Sequence, residues 1–180
     1  MAKIYYNFKN IVDDFKLLQS KHLQLNSFGI GDIKDLIFLT QQKTDEDYVG
    51  KVATDNTKNN APEYPLLYIV PQPATRYDGY ITYTFNVIVC DIDNTKNKDI
   101  QVDLWSDTLE IAEDILAQFK YSVIASQGDY ASKYDITLPT TISPFSENYE
   151  DLLIGWNLQL QVLVDKPLNR CIAPYSDFEA

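Results

Sequence analysis

The stretch Tyr80–Lys120 constrains the fold more than any other part of the chain. It opens with Tyr80–Cys90, where large apolar side chains alternate with mostly polar ones. Such alternation is typical of an antiparallel strand with one face in the core and the other in water. Asp91–Asp99 then predicts an acidic turn, and apolar residues at three- and four-residue steps predict an amphipathic helix over 103–120.

The other segments supply one more helix and four more strands. Apolar side chains repeat at helical spacing from Ile4 to about Leu23. Short apolar or alternating runs predict strands, and the last of these is the most regular. The predicted strands are Asp35–Thr40, Tyr64–Pro71, Ser132–Pro139 and Trp156–Asp165, with a turn at Phe28–Asp32, turn residues over Pro71–Gly79 and a bend at Thr140–Ser146.

This order of elements, α-β-β-β-α-β-β, predicts an α+β fold. We expect a single domain over residues 1–180, because the length suits one core and no repeat is visible. The sheet is expected to be mostly antiparallel with four or five strands, and both helices should pack on one face. Residues 41–61 are polar without periodicity and predict a long loop. The tail from Lys166 should run extended.

The charge and composition exclude several functions. A net charge of −11 disfavours binding to nucleic acid or acidic membranes, because both require cationic surfaces. Two cysteines and a single histidine (His22) do not make a zinc site of the usual spacing. We expect no metal, no cofactor and no membrane partner. Met1–Asn7 lacks the features of a secretory signal, and no apolar run is long enough to span a membrane.

One motif suggests chemistry. In Val87–Thr95 a hydrophobic strand precedes the pattern D-x-D-x-T, which resembles the first motif of haloacid-dehalogenase-type phosphatases. That resemblance implies Asp91 as phosphoryl acceptor, Asp93 as general acid/base and a bound Mg²⁺. However, Asn94 stands where that family usually has Gly, and the strand alternates where theirs is buried. As a calcium loop the same turn lacks the Gly at its sixth position and the Glu at its twelfth. We therefore expect no enzyme activity.

The whole pattern resembles the tail-terminator and tail-completion (neck) proteins of tailed bacteriophages, most closely those of crAss-like phages. The resemblance runs from about Gly29 to Pro174. It rests on Tyr64–Pro71, the strand Tyr83–Asp93, the helix segment Ser106–Leu116, and Asp151–Leu163 followed by Cys171–Pro174.

The resemblance implies a structural protein of the virion, made in the bacterial cytoplasm and placed at the head–tail interface. It implies a homo-oligomeric ring, sixfold or twelvefold, that contacts other neck and tail proteins while DNA passes through its lumen without specific binding. Acidic loops and tyrosines on the wet face are the expected subunit contacts. The candidate contact residues are Thr44, Asp45, Glu46, Asp47, Asp91, Asp93, Asp99, Tyr130, Tyr134 and Asp165. A phosphatase and a monomeric module that binds a host protein stay open as alternatives.

Overall fold

The computed structural model describes residues 6–41, 62–93, 97–121, 134–148 and 152–168. They form a single-domain α+β fold of three helices and one seven-stranded sheet, which confirms the predicted fold class. The elements in chain order are α1 (Phe8–Lys21), β1 (Ser27–Ile30), α2 (Ile33–Gln41), β2 (Leu66–Pro71), β3 (Thr75–Arg76), β4 (Tyr80–Asp93), α3 (Lys98–Tyr121), β5 (Tyr134–Ile136), β6 (Ile142–Asn148) and β7 (Leu152–Asp165).

The two longest strands, β4 and β7, form the centre of the sheet. They pair antiparallel along their whole length, from Tyr80 opposite Asp165 to Asp93 opposite Leu152. On the far side of β4 lie β2 and the short β3, and β1 pairs with β2 as the one parallel neighbour in the described sheet. On the far side of β7 lie β5 and β6. The sheet is therefore mostly antiparallel, as predicted.

Helices α1 and α3 cover one face of the sheet, which we call the covered face. Along β4 this face carries the odd-numbered residues, and Phe85, Val87 and Val89 are fully buried there. Phe15 of α1 contacts the ring of Phe85 and lies 4.4 Å from the ring of Phe119 in α3. This aromatic group joins both helices to the sheet, so the prediction of two helices on one face is confirmed.

The opposite face, which we call the open face, carries the third helix at one end only. Leu36 of α2 is fully buried against Leu66, Tyr68 and Cys90. The sequence interpretation of Asp35–Thr40 as a strand is therefore wrong. Asp32 caps this helix, because its carboxylate accepts hydrogen bonds from the backbone N–H groups of residues 34 and 35, at 2.7 and 2.9 Å.

The glycines before α2 lie where a tyrosine ring packs against the backbone. A Cβ on Gly29 would meet the ring of Tyr68 at 2.5 Å, and a Cβ on Gly31 would meet the Tyr68 hydroxyl at 2.5 Å. The Tyr68 hydroxyl donates to the carbonyl of Asp32 at 3.2 Å. The predicted turn at Phe28–Asp32 is therefore largely strand β1, and its glycines admit a buried ring.

Other element boundaries also differ from the sequence prediction. Helix α1 begins at Phe8, not Ile4, because the side chains of Asn7 and Asn10 cap each other's backbone N–H groups. Residues 142–148 form an edge strand where a bend was expected, and residues 75–76 form the short strand β3 within predicted turn residues. The polar loop, apart from Gln41 at the end of α2, and the tail beyond Leu168 lie outside the described residues.

Candidate functional site

The acidic residues of the predicted turn lie at the end of β4 and in the first turn of α3. Asp91 and Asp93 belong to strand β4, and Asp99 lies in the first turn of α3. The turn between them is therefore shorter than the sequence suggested. Asp99 is exposed, and its backbone N–H donates to the side chain of Asn97 at 3.1 Å, which caps the helix.

Asp93 is buried beneath the start of α3. Its side chain is 2% exposed, and the Gln101 side-chain amide donates to its Oδ2 at 2.8 Å. A carboxylate in this position fastens the helix to the strand. We therefore correct the prediction that Asp93 contacts a neighbouring subunit, because such a subunit cannot reach a side chain that the helix covers.

Asp91 is half-buried on the covered face. Burial raises the pKa of its carboxyl above the ordinary value, and the nearby Asp107 carboxylate raises it further, whereas a hydrogen bond from the backbone N–H of Ile92 lowers it. The ionised form is thus disfavoured. An aspartate of this kind holds its proton more readily than one in water, and no cation among the described residues lies within ion-pair distance of it.

The remaining candidate contact residues lie in different environments. Asp165 is exposed at the end of β7, opposite Tyr80, and is available to a neighbour. Tyr134 is buried in the core, where its ring lies 5.0 Å from Tyr6 and 5.9 Å from Phe119. Its assignment to the wet surface is therefore wrong, and burial raises the pKa of its phenol. Thr44, Asp45, Glu46, Asp47 and Tyr130 lie outside the described residues.

Helix α3 carries a strongly acidic outer surface. Five exposed carboxylates repeat at steps of four, four, three and four residues, which places them on one side of the helix. Like charges at such spacing repel and destabilise an isolated helix. We call this surface the acidic ridge; it consists of Asp99, Asp103, Asp107, Glu110 and Asp114.

One end of the acidic ridge is tied to helix α1. The His22 ring nitrogen lies 3.4 Å from the Asp114 carboxylate, and His22 follows the last residue of α1 directly. The single histidine of the chain thus has a structural place between two helices, as its position near a helix end suggested. The rest of the ridge faces outward without a cation from the described residues within ion-pair distance.

The open face beyond α2 carries polar residues that sequence reasoning did not name as candidate contacts. Here β4 and β7 present uncharged polar side chains, paired across the strands as Thr84 with Gln161 and Asn86 with Gln159. All are half-buried except Gln159, which is exposed. We call this surface the amide–hydroxyl face; its members are Thr82, Thr84, Asn86, Asn157, Gln159 and Gln161. The signal was the alternation itself, whose polar positions on β7 stay uncharged until Asp165 at the end of the strand.

A stacked tyrosine pair borders the amide–hydroxyl face. The Asp78-Gly79 turn joins β3 to β4, and the backbone N–H of Tyr77 donates to the carbonyl of Tyr80 across it, at 2.9 Å. The two rings stack with centroids 4.4 Å apart, and Tyr77 is 48% exposed. Tyrosines exposed in this way supply large contact area at low entropic cost, so the pair is a candidate contact.

The described residues contain no further sign of a cofactor site. Among them, no three His, Cys, Asp or Glu side chains are grouped so as to hold a metal ion. None of their helices is both long enough and apolar enough to cross a membrane. Cys90 is fully buried, and burial raises the pKa of its thiol, so it is a poor nucleophile.

Comparison of the chain with protein-family models and with curated proteins finds no match.

Proposed function

We propose that this chain is a non-enzymatic structural subunit of a ring at the head–tail junction of a tailed bacteriophage. The observation that carries the proposal is the arrangement of the elements. Helices α1 and α3 flank strands β2–β4 in the sequence and lie together on one face of a mostly antiparallel sheet. The predicted order α-β-β-β-α-β-β, from which the resemblance to tail-terminator and neck proteins was drawn, keeps these two helices and its central strands, whereas its first strand is helix α2 and strands β1, β3 and β6 are additional.

The acidic ridge supports a role beside passing DNA. A surface of exposed carboxylates repels phosphates, so DNA slides past it without forming contacts. The net charge of −11 extends the same repulsion over the whole subunit. In the proposed ring the ridge lines the channel, and the subunit joins the portal connector on one side to the tail on the other.

The geometry of the D-x-D motif supports a non-catalytic role. A nucleophilic aspartate and its acid/base partner must both reach a substrate, whereas Asp93 is buried and accepts a hydrogen bond from Gln101. Strand β4 also runs antiparallel to both of its long neighbours, β2 and β7, unlike the parallel first strand of the phosphatase family. In this proposal both aspartates are structural.

A ring requires contacts between different surfaces of neighbouring copies, repeated until the rotation closes. The exposed edges of the sheet, Asp165 and the tyrosine pair are available for such contacts. Pro144 in the edge strand β6 lacks a backbone donor, which limits uncontrolled strand addition at that edge. We propose six or twelve copies per ring, with other neck and tail proteins as partners, in virions assembled in the bacterial cytoplasm.

Mass measurement tests this proposal. The purified chain is examined by sedimentation velocity over a wide concentration range, and virions are examined for the chain by mass spectrometry. We expect closed assemblies of six or twelve copies and the chain in virions. A chain that is monomeric at every concentration and missing from virions would contradict the proposal.

Enzyme assays test the non-catalytic part separately. The wild type and Asp91→Asn are compared on a broad panel of phosphate monoesters with Mg²⁺ present. We expect no turnover above the background of the variant. Hydrolysis by the wild type that the substitution abolishes would instead establish the phosphatase alternative.

A further inference from the structure

Three titratable side chains fasten the start of helix α1 to the end of the sheet. The Tyr6 hydroxyl donates a hydrogen bond to Oδ2 of Asp14 in α1. The Tyr6 ring lies 5.0 Å from the ring of Tyr134 in β5, and both tyrosines are buried. We call this group, Tyr6, Asp14 and Tyr134, the tyrosine–aspartate clasp. It joins the residue that precedes the helix cap both to α1 and to the covered face of the sheet.

The Asp14 carboxyl is half-buried among groups that disfavour its ionised form. Asp13, its neighbour on α1, carries the same charge, and Tyr134 brings a phenol from β5. On α3 the cation at this end of the helix is Lys120, which lies 2.8 Å from the Asp135 carboxylate. No cation of the described ranges is within ion-pair distance of Asp14. A charge on this carboxyl is therefore poorly compensated.

The balance of these influences sets the direction of the pH dependence. Burial raises the pKa of the Asp14 carboxyl, the hydrogen bond from Tyr6 lowers it, and the Asp13 charge raises it again, so that the pKa is above its ordinary value. Water that reached the carboxyl would remove the cost of burial. The closed clasp thus binds a proton more tightly than an opened one. Its advantage is complete at low pH and is lost as pH rises through the pKa of the closed state.

We propose that the tyrosine–aspartate clasp is a pH-sensitive device that holds the start of α1 firmly when Asp14 is protonated and loosens it when Asp14 ionises. The cap of the helix follows Tyr6 directly. The backbone N–H of Asn10 donates to the Asn7 side chain at 3.2 Å, and that of Ile11 donates to the Asn7 carbonyl at 3.2 Å. When Tyr6 loosens, these two N–H groups should exchange with water more readily. The proposal does not rest on the ring function.

Two NMR readouts on the wild type test the device. The first is the titration of the Asp14 carboxyl carbon, whose midpoint should lie above that of the same residue in the urea-unfolded chain. The second is the hydrogen-exchange protection of the Asn10 and Ile11 amides, corrected for the intrinsic pH dependence of exchange. Protection should fall with the Asp14 midpoint as pH rises. The fall should reach up to about tenfold for each pH unit by which the folded midpoint exceeds the unfolded one.

Two variants separate this device from a role in packing alone. Tyr6→Phe keeps the ring but removes the hydroxyl that stabilises the ionised carboxyl, so the Asp14 midpoint should rise further. Asp14→Asn removes the titrating group, and protection of the Asn10 amide should then stay constant over the same pH range. Tyr77→Phe removes an exposed hydroxyl outside the clasp and is the matched control; it should leave the Asp14 midpoint as in the wild type.

Several outcomes would overturn the proposal. An Asp14 midpoint at or below that of the unfolded chain would show that a cation lies beside the carboxyl. Protection that stays constant or increases as pH rises would show that the start of α1 is not loosened by ionisation. Protection that still falls in Asp14→Asn would assign the effect to another group. A midpoint in Tyr6→Phe no higher than in the wild type would remove Tyr6 from the clasp.

Discussion

The covered face and the open face of the sheet are made by the same two long strands, yet they differ in what packs against them. On the covered face, α1 and α3 lie over apolar side chains such as Phe85 and Leu160, which are fully buried. On the open face, α2 is the one helix of the described ranges that packs there, and the side chains change from apolar to polar where its contacts end, between Ile88 and Asn86. Each face is therefore apolar where one of the described helices packs on it and polar where none of them does.

The largest expected effect is at the centre of the covered face. Phe15→Ala removes a fully buried ring that packs against Phe85 and Phe119. We expect a loss of about 4 kcal/mol in the free energy of unfolding, measured by urea denaturation. Lys9→Ala, at an exposed position of the same helix, is the control and should change it little. A loss under 1 kcal/mol from Phe15→Ala would contradict the assigned core.

A smaller loss is expected where α2 shelters the open face. Leu36→Ala empties the site against Leu66 and Tyr68. We expect it to lower the free energy of unfolding by about 3 kcal/mol in the same assay. Gln159→Ala, beyond the reach of α2, should stay within about 0.5 kcal/mol of the wild type. Equal losses in the free energy of unfolding from Leu36→Ala and Gln159→Ala would contradict this difference in packing between the two ends of the open face.

The elements that were recognised and those that were missed show how much of the fold could be predicted from the sequence. Strands β4 and β7 and helix α3 were recognised because their apolar periods run for ten residues or more. The core of α2, Leu36–Leu39, is a short apolar run that fits a helix or a strand equally, and the Asp32 cap was the one signal that favoured a helix. Edge strand β6 was missed because Pro144 and its neighbours indicate a bend.

The candidate site was only partly predictable for a similar reason. Alternation placed the polar positions of β4 on a wet face, but it does not reveal that α3 begins at Lys98 and covers Asp93. The tyrosine count suggested a tyrosine-rich surface, yet Tyr134 packs inward because β5 pairs with β7 in the register that opposes it to Val164. The burial of Asp93 and of Tyr134 depends on strand pairing and helix placement, which are set by contacts between residues far apart in the sequence.

A third effect concerns the polar end of the covered face. Because the pKa of Asp91 is raised in the folded state, its contribution to stability is complete at low pH and is lost as pH rises through the folded pKa. At pH 7 the ionised Asp91 carboxylate is held in a partly buried position, which costs free energy. Asp91→Asn removes that cost and should raise the free energy of unfolding at pH 7 by less than about 1 kcal/mol. The difference should shrink toward pH 3. Thermal melts across this range check it.

Asp165→Asn, at an exposed end of β7, is the control for that experiment and should leave the melting temperature unchanged. A lower melting temperature for Asp91→Asn at pH 7 would show that the ionised carboxylate makes a favourable contact, and would contradict the assigned cause of its shift.

The smallest effect is at the exposed side of β5. Lys120 donates to the Asp135 carboxylate at 2.8 Å and lowers its pKa. Lys120→Gln should return that pKa toward its ordinary value in an NMR titration. It should cost less than about 1 kcal/mol at neutral pH, a cost that disappears as pH falls through the Asp135 pKa. Lys21→Gln removes a charge elsewhere and should leave the Asp135 titration as it was.

Electron cryomicroscopy of assembled virions decides whether this chain forms the proposed ring. We expect a ring of six or twelve copies of this fold between head and tail, with the acidic ridge of α3 toward the channel. Virions whose head–tail junction contains no copy of this fold would contradict the proposal.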